Sequence, residues 1–378
     1  MSFVVLALGC ASVASEIATN PGPEHASARA ARAQRQLLSA MNHTLDGKAL
    51  FENQFPRVLH ATAKQPYNLV LLTVADKGSL EFVANFYCNM KRIGVDYSVL
   101  ASMDDKMYDW ALRQGIPTFF SGWVTDTDAT ESGHDNEQYV FGSQGFRSVT
   151  KFKSLVVLEL VKLNFTVLLS DVDVVWVRDP LSFFWRRLAT QHMFIQSNSP
   201  RLPGGNRLTF NFSRGPVTLT HEDDLTLPNR LNSGIYLIPG TQDAISAMTE
   251  ITNHAKASPY SEQPSFQIVL CKTPGFKVSN SSCFYERDDF KLTVNILDRM
   301  QFPSGAVFAT EAARLIEDAT VHNALAISPP LYALHYNWIL GHAEKRRLID
   351  QSNFWLLNHE GTTCIDPSLT KGESHSSL

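Results

Sequence analysis

Apolar positions along this chain alternate between short unbroken runs and longer stretches with helical spacing. The run 67–76, "YNLVLLTVAD", predicts a strand. Residues 78–94 follow with Leu80, Val83, Ala84, Tyr87 and Met90 at the spacing of one helix face. A second strand is expected over 96–104 ("DYSVLASMD"), then a helix in "DKMYDWALRQGI" and a short third strand in "PTFF". Residues 121–145 are polar and rich in Gly, Asp and Thr, which predicts a surface loop, and 146–164 predicts a helix. Further strands are expected in "HMFIQSN" and over 230–240 ("RLNSGIYLIPG"), and a helix over 241–257. Strands alternating with helices predict a layered α/β fold with a mostly parallel sheet. Ligands of such sheets bind at the carboxyl ends of the strands, where "VAD", "SMD" and "SDVD" place Asp76, Asp104, Asp171 and Asp173.

The stretch "LLSDVDVVWVRDP", 168–180, sets two carboxylates inside an apolar run. If that run is one strand, Asp171 and Asp173 share a face. Two adjacent carboxylates in apolar surroundings repel each other and lose solvation, so one is protonated or a cation lies between them. A divalent ion that prefers carboxylate oxygen, Mg or Mn, fits that demand. The alternative is a strand end turning into solvent, with the aspartates capping the next turn. Arg178 and Asp179 read as an ion pair and turn, with Pro180 opening a helix.

Composition narrows the classes. The chain has 378 residues, 44% of them hydrophobic, and a net charge of -4, enough for a substantial core. No basic stripe marks a nucleic-acid groove. The longest apolar stretch, Leu155 to Val177, is broken by Glu159, Lys162, Asp171 and Asp173 and does not predict a membrane span. The start differs: "FVVLALGCASVAS" resembles a signal peptide or signal-anchor remnant over 1–15 that offers membrane anchoring, and 16–64 reads as a stem. The expected organisation continues with one domain over 65–355 and a C-terminal tail over 356–378. Cysteine spacing matches no zinc motif. Cys271 and Cys283 flank a Gly/Pro/Ser loop and are candidates for a disulfide worth roughly 3 kcal/mol. Cys88, in an apolar helical pattern, is expected to be merely buried. Asn42, Asn211 and Asn280 lie in glycosylation sequons in expected loops. Asn164 lies in another, but it abuts the core strand and is expected to stay unmodified. Leader and sequons together point to the secretory pathway, with the Golgi lumen as the expected compartment.

Neither G-x-G-x-x-G nor G-x-x-x-x-G-K-[ST] follows the first strand. An edge of aspartates would accept a phosphate only through a metal, which points to a nucleoside diphosphate. Three motifs in order, "LLSDVDVVWVRDPLSFF", "LNSGIYLIPGT" and "LHYNWILGHAEKRR", resemble those of glycosyltransferase family 77, the nucleotide-diphospho-sugar transferases, over roughly residues 65–350. The resemblance implies a GT-A fold, a three-layer α/β/α sandwich with a mostly parallel mixed sheet. It also implies a retaining transferase that moves xylose, galactose or arabinose from a UDP-sugar to a glycan or glycoprotein hydroxyl, with Mn or Mg.

Carried over by position, Asp171 and Asp173 match the Asp-x-Asp pair, and Asn232, Ser233 and Gly234 match a strand lining the donor pocket. His335 matches a third metal ligand, and Gly341 and Lys345 match an element facing the diphosphate. Asp76, Asp104 and Lys153 are further donor-binding candidates. Taken alone, His335 reads as a core histidine beside Tyr336 and Trp338; beside the aspartates it reads as a ligand. One departure stands out: where the family shows Asp-Gln with a following Asn, this chain has Glu262, Gln263 and Gln267. The acid and amide are catalytic candidates facing the anomeric carbon, with Glu262 read chiefly as a helix N-terminal charge. Two other classes compete. A non-catalytic sugar-binding relative shares the fold, and a sugar-nucleotide pyrophosphorylase would carry a Gly-rich loop near the first strand, which is absent.

Overall fold

The structure, a computed structural model, describes residues 56–121, 144–198, 210–212, 215–217, 231–271, 282–299, 301–305, 330–359, 361 and 363–365. The leader, Asn42, Asn280, most of the 121–145 loop and the last residues of the tail lie outside them.

Strand β1 (Leu69–Ala75) is a fully buried run, as a central strand covered on both faces must be. A 3-10 turn (Lys77–Ser79) leads into α1 (Leu80–Arg92), then β2 (Ser98–Ser102), α2 (Asp105–Arg113) and β3 (Thr118–Phe120). Helix α3 (Gln144–Lys162) delivers the chain to β4 (Thr166–Ser170), β5 (Val174–Trp176), α4 (Leu181–Leu188) and β6 (Met193–Ser197). A small ladder joins β7 (Phe210–Phe212) to β8 (Gly215–Val217). Next come β9 (Leu231–Ile238), α5 (Gln242–Ala257), α6 (Gln263–Cys271), β10 (Ser282–Arg287), β11 (Phe290–Ile296), β12 (Ala333–His335) and α7 (His342–Gln351).

Eight strands form one sheet in the order β10-β11-β6-β9-β4-β1-β2-β3. The β1–β2, β1–β4, β2–β3 and β6–β11 pairs are parallel, and β9 runs antiparallel between β4 and β6. Alternate side chains of β1 enter different cores. Val70, Leu72 and Val74 pack with Val156, Leu160, Met248 and Ile251 from α3 and α5, whereas Leu69, Leu71 and Ala75 pack with Phe86, Met90, Met107 and Phe184 from α1, α2 and α4. Helices therefore cover both faces, and the mostly parallel mixed sheet of a three-layer α/β/α architecture is the one observed. The packed unit includes Val58 and Leu59 ahead of residue 65, and Leu357 beyond residue 355.

Helix α1 corrects one expectation. Its outer face is covered too, because Phe82, Ala84 and Cys88 pack against Leu334, Tyr336, Phe354 and Trp355. Cys88 is not merely buried; it is bonded to Cys364, 276 residues away. Periodicity within the helix reports burial but cannot see a partner so distant in sequence. Cys271 and Cys283 are bonded to each other. Of the sequon residues, Asn211 lies in β7, and Asn164 sits exposed in the α3–β4 turn with φ 64° while Thr166 is buried. Asp179 accepts hydrogen bonds from the Tyr97 hydroxyl and the Leu181 N–H, and Arg178 Nε donates to the Leu331 carbonyl at 3.1 Å.

Candidate active site

The segment that carries the aspartates is not one strand. Strand β4 ends at Ser170, the Val174 N–H bonds back to the Asp171 carbonyl at 3.2 Å, and β5 starts beyond that turn. The shared strand face expected for Asp171 and Asp173 is thus replaced by a tight turn, the alternative reading of the motif. The carboxylates converge all the same. The Asp171 N–H is tied to the Gly234 carbonyl at 2.8 Å, and the Tyr336 N–H bonds the Asp173 carbonyl at 3.0 Å. The β5–β12 ladder pairs His335 with Val174, immediately beside the turn.

His335 Nε2 lies 3.3 Å from Asp173 Oδ1 and 3.9 Å from Asp171 Oδ2. These three side chains offer ligand atoms all within 4.8 Å of one another. The other carboxylate oxygens face lysines: Lys153 Nζ is 2.7 Å from Asp171 Oδ1, and Lys345 Nζ is 2.6 Å from Asp173 Oδ2. Each aspartate therefore gives one oxygen to an ammonium and turns the other toward the histidine. Two lysines therefore make the pair tolerable. Burial would raise the Asp173 carboxyl, but Lys345 and His335 outweigh it and hold the group well below the usual carboxylate range.

Lys153, from α3, is neither solvated nor free to swing out. Burial would lower its ammonium, yet Asp171 and Glu262 outweigh that effect and raise it. Glu262 also departs from expectation. It is 1% exposed at the start of α6, accepts a hydrogen bond from Ser233 Oγ at 2.8 Å, and lies 3.6 Å from Lys153. Burial raises its carboxyl despite Lys153, whose shorter contact is with Asp171. A surface helix-end charge would have neither partner. Gln263 is half-buried, with Oε1 3.4 Å from the Ser233 N–H, and Gln267 is buried behind it.

The Asn232-Ser233-Gly234 segment bridges these groups. Pairing of β6 with β9 jumps from Ile195↔Tyr236 to Gln196↔Asn232, so the segment bulges at the site. Asn232 Oδ1 accepts the Gly234 N–H at 2.8 Å. A Cβ on Gly234 would collide with the His335 ring and come within 2.8 Å of Asp171 Oδ2, so only glycine lets β9 approach this closely. Gly341 precedes α7 at φ 82°, and the Lys345 N–H bonds its carbonyl at 3.2 Å.

Asp76 and Asp104 stand at the carboxyl ends of β1 and β2 but do different work. Asp104 caps α2, accepting the Met107 N–H at 2.9 Å, and also binds the Lys77 N–H at 2.7 Å. Its carboxylate is committed to backbone. Burial and the Asp104 charge raise the Asp76 carboxyl. Two site residues escaped the sequence reading: Gln196, whose amide meets His335, and Asn198, whose Oδ1 accepts Asn232 Nδ2 at 3.0 Å and Trp338 Nε1 at 2.9 Å. Their signal was present as a polar triplet, "QSN", ending a buried apolar strand.

Two carboxylate oxygens and an imidazole nitrogen, gathered where glycine clears the space, fit a divalent cation. Fold and site together define an α/β protein with a carboxylate–histidine centre at the carboxyl edge of its sheet. Residues 94–349 match the nucleotide-diphospho-sugar transferase family, and the chain belongs to it. It is 31% identical over 297 residues to beta-arabinofuranosyltransferase RAY1 of Arabidopsis thaliana, covering 78% of this chain and 49% of that protein. It is 24% identical over 234 residues to the UDP-D-xylose:L-fucose alpha-1,3-D-xylosyltransferase of the same plant, covering 58% of this chain and 52% of that one. The chain thus spans about half the length of these relatives. Among solved structures it resembles the WbbM bifunctional glycosyltransferase, with 13% identity, a TM-score of 0.44, and coverage of 77% of this chain and 51% of that one.

Proposed function

We propose that this chain transfers a sugar from a UDP-sugar to a hydroxyl of a glycan or glycoprotein, in the lumen of the secretory pathway. Family membership supports the reaction class. The observation that carries the reading is the grouping of Asp171, Asp173 and His335 within 4.8 Å, with two lysines beside it. Asp171 Oδ2, Asp173 Oδ1 and His335 Nε2 would hold Mn or Mg. When bound, the ion supplies positive charge for a diphosphate.

The chain's own residues take the other roles. Lys345, paired with Asp173 across the site, is placed to share its charge with the departing UDP, where a preorganised cation is most effective. Lys153 holds Asp171 in place through their 2.7 Å contact. Asn232, Ser233 and Gly234 line the donor side, and the half-buried Gln263 amide faces it from α6. Glu262, sealed between Lys153 and Ser233, positions these groups and does not reach the sugar. A retaining outcome and a donor among UDP-xylose, UDP-galactose and a UDP-arabinose belong to the same reading, as does anchoring through the N-terminal apolar segment. Among the described residues no helix is long and apolar enough to cross a membrane.

The test is release of UDP from a panel of UDP-sugars, with and without EDTA and with and without fucose- or arabinose-terminated acceptors. Product anomericity is then read by NMR. Metal-dependent release with at least one donor is expected. UDP binding with no turnover of any donor would replace the enzyme by a sugar-nucleotide-binding relative.

A further inference from the structure

We infer that Gln196 is a positioning residue that fixes the tautomer of His335 and so aims its Nε2 lone pair at the two aspartates. The inference rests on the proposed metal-holding role of His335 but is carried by separate contacts. Gln196 is fully buried in β6, an unusual place for an amide unless every polar atom is bonded. Its Nε2 donates to the Phe302 carbonyl at 3.0 Å and the Pro303 carbonyl at 3.3 Å. Carbonyls only accept, so the amide cannot be turned around without setting its oxygen against two others. Its Oε1 must then face His335 Nδ1, at 2.7 Å. An oxygen that can only accept requires the hydrogen on Nδ1.

That hydrogen leaves Nε2 as the nitrogen with a lone pair to give, and Nε2 is the ring nitrogen that faces the carboxylates. The support is itself rigid. The Pro303 carbonyl also accepts the His335 N–H at 3.1 Å, and Phe302 is buried among Trp176, Phe183 and Tyr332. The break in the β6–β9 ladder falls at Ile195/Gln196, at the residue whose amide meets His335 of β12. An outer partner that orients a ligating imidazole raises metal affinity, and its loss typically costs about 10–100-fold.

Two measurements on the full chain test this. Nitrogen-15 NMR of the metal-free wild type, with His335 signals identified by their loss in His335→Ala, should show the proton of the neutral ring on Nδ1. A proton on Nε2 instead would overturn the inference. Titration of Mn2+ alone and Mn2+ with UDP should show Gln196→Leu binding the ion roughly 10–100-fold more weakly than wild type, with UDP alone bound equally by both. A Gln196→Leu protein that melts lower but binds Mn2+ as tightly would make Gln196 merely structural and overturn the inference. If Gln196→Leu does not fold, Gln196→Asn replaces it in the titration, and the wild-type NMR decides independently. A wild type that binds no Mn2+ with UDP would sink the metal role of His335, while the NMR result would still decide the tautomer.

Discussion

Replacing Glu262 by alanine separates a buried partner from a surface helix charge. A helix-end charge in solvent is worth under about 1 kcal/mol. Glu262 instead lies within 3.6 Å of Lys153 and accepts the Ser233 hydroxyl, with almost no exposure. Breaking a buried ion pair costs about 3–5 kcal/mol when the survivor is left uncompensated. Lys153 is not left so, because Asp171 stays 2.7 Å away, and removing a carboxylate that burial disfavours returns part of the loss. The Ser233 hydroxyl, however, loses its acceptor, at about 1–3 kcal/mol. The net expectation for Glu262→Ala is a loss of about 2–3 kcal/mol, seen as a melting temperature lower by roughly 3–6 °C. Glu262→Gln keeps an acceptor for Ser233 and relieves the burial of charge, so it should lose less than half as much. Thermal melts of both variants at neutral pH supply the numbers, and a double-mutant cycle with Lys153→Met isolates the pair. A shift below about 1 °C for Glu262→Ala would refute the buried-pair reasoning and restore the surface-charge reading.

Four further expectations concern the same scaffold. In the metal-free protein, Asp173→Asn should lower the melting temperature at neutral pH. Because Asp173 is held below the ordinary carboxylate range, its contribution is present above pH about 4 and fades as pH falls further, so the gap to wild type should close in acid; a gap that widens there would contradict the sign. Gly234→Ala should cost about 1–3 kcal/mol by forcing His335 and Asp171 apart, and Mn2+ titration should show weakened binding; unchanged binding would mean the clash is relieved without moving a ligand. Reducing or replacing the Cys88–Cys364 bridge should cost about 2–5 kcal/mol in a urea melt, since it closes a loop of 276 residues; no change would leave the C-terminal segment held by packing alone. EDTA should abolish UDP release yet shift the melting temperature only as far as loss of a bound ligand requires; unfolding in EDTA would make the metal a structural element.

The alternation of apolar runs was enough to locate β1, β2, α1, α2, α3 and α5, because each buries a face against the sheet and so shows the period of its own geometry. The edge hairpin β10–β11 was not legible: Phe284 and Phe290 point outward and charged residues flank them, so hydropathy there follows no buried face. The Asp-x-Asp stretch was read as one strand because Val172 and Val174 continue the apolar pattern, although Val172 sits in the turn, only partly buried against the neighbouring cores. Asp171, Asp173 and His335 were legible as residues, from spacing and resemblance. Their partners were less so. A lysine on a helix and a glutamine in a strand look alike in sequence whether they face solvent or a carboxylate, and only the packing of α3 and β6 against the turn distinguishes them. Asp104 shows the converse: its place at a strand end suggested ligand binding, while the residue three positions on supplied the N–H it caps.

The charges of the centre explain why its chemistry and its folding separate. Asp171, Asp173 and Glu262 bring three carboxylates; Lys153 and Lys345 bring two ammonium groups, so ionised side chains leave one net negative charge before His335 is counted. Crowding a buried Asp173 and a half-buried Asp171 against each other would be costly without a counter-charge. With a lysine on the outer oxygen of each, the cluster is supported before any ion or nucleotide arrives, and the inner oxygens beside His335 stay available. On the proposed reading Lys153 supports the fold, Lys345 serves both the fold and the leaving group, and the histidine held by Gln196 would complete a ligand set. The same aspartates serve both demands because each has two oxygens facing different neighbours.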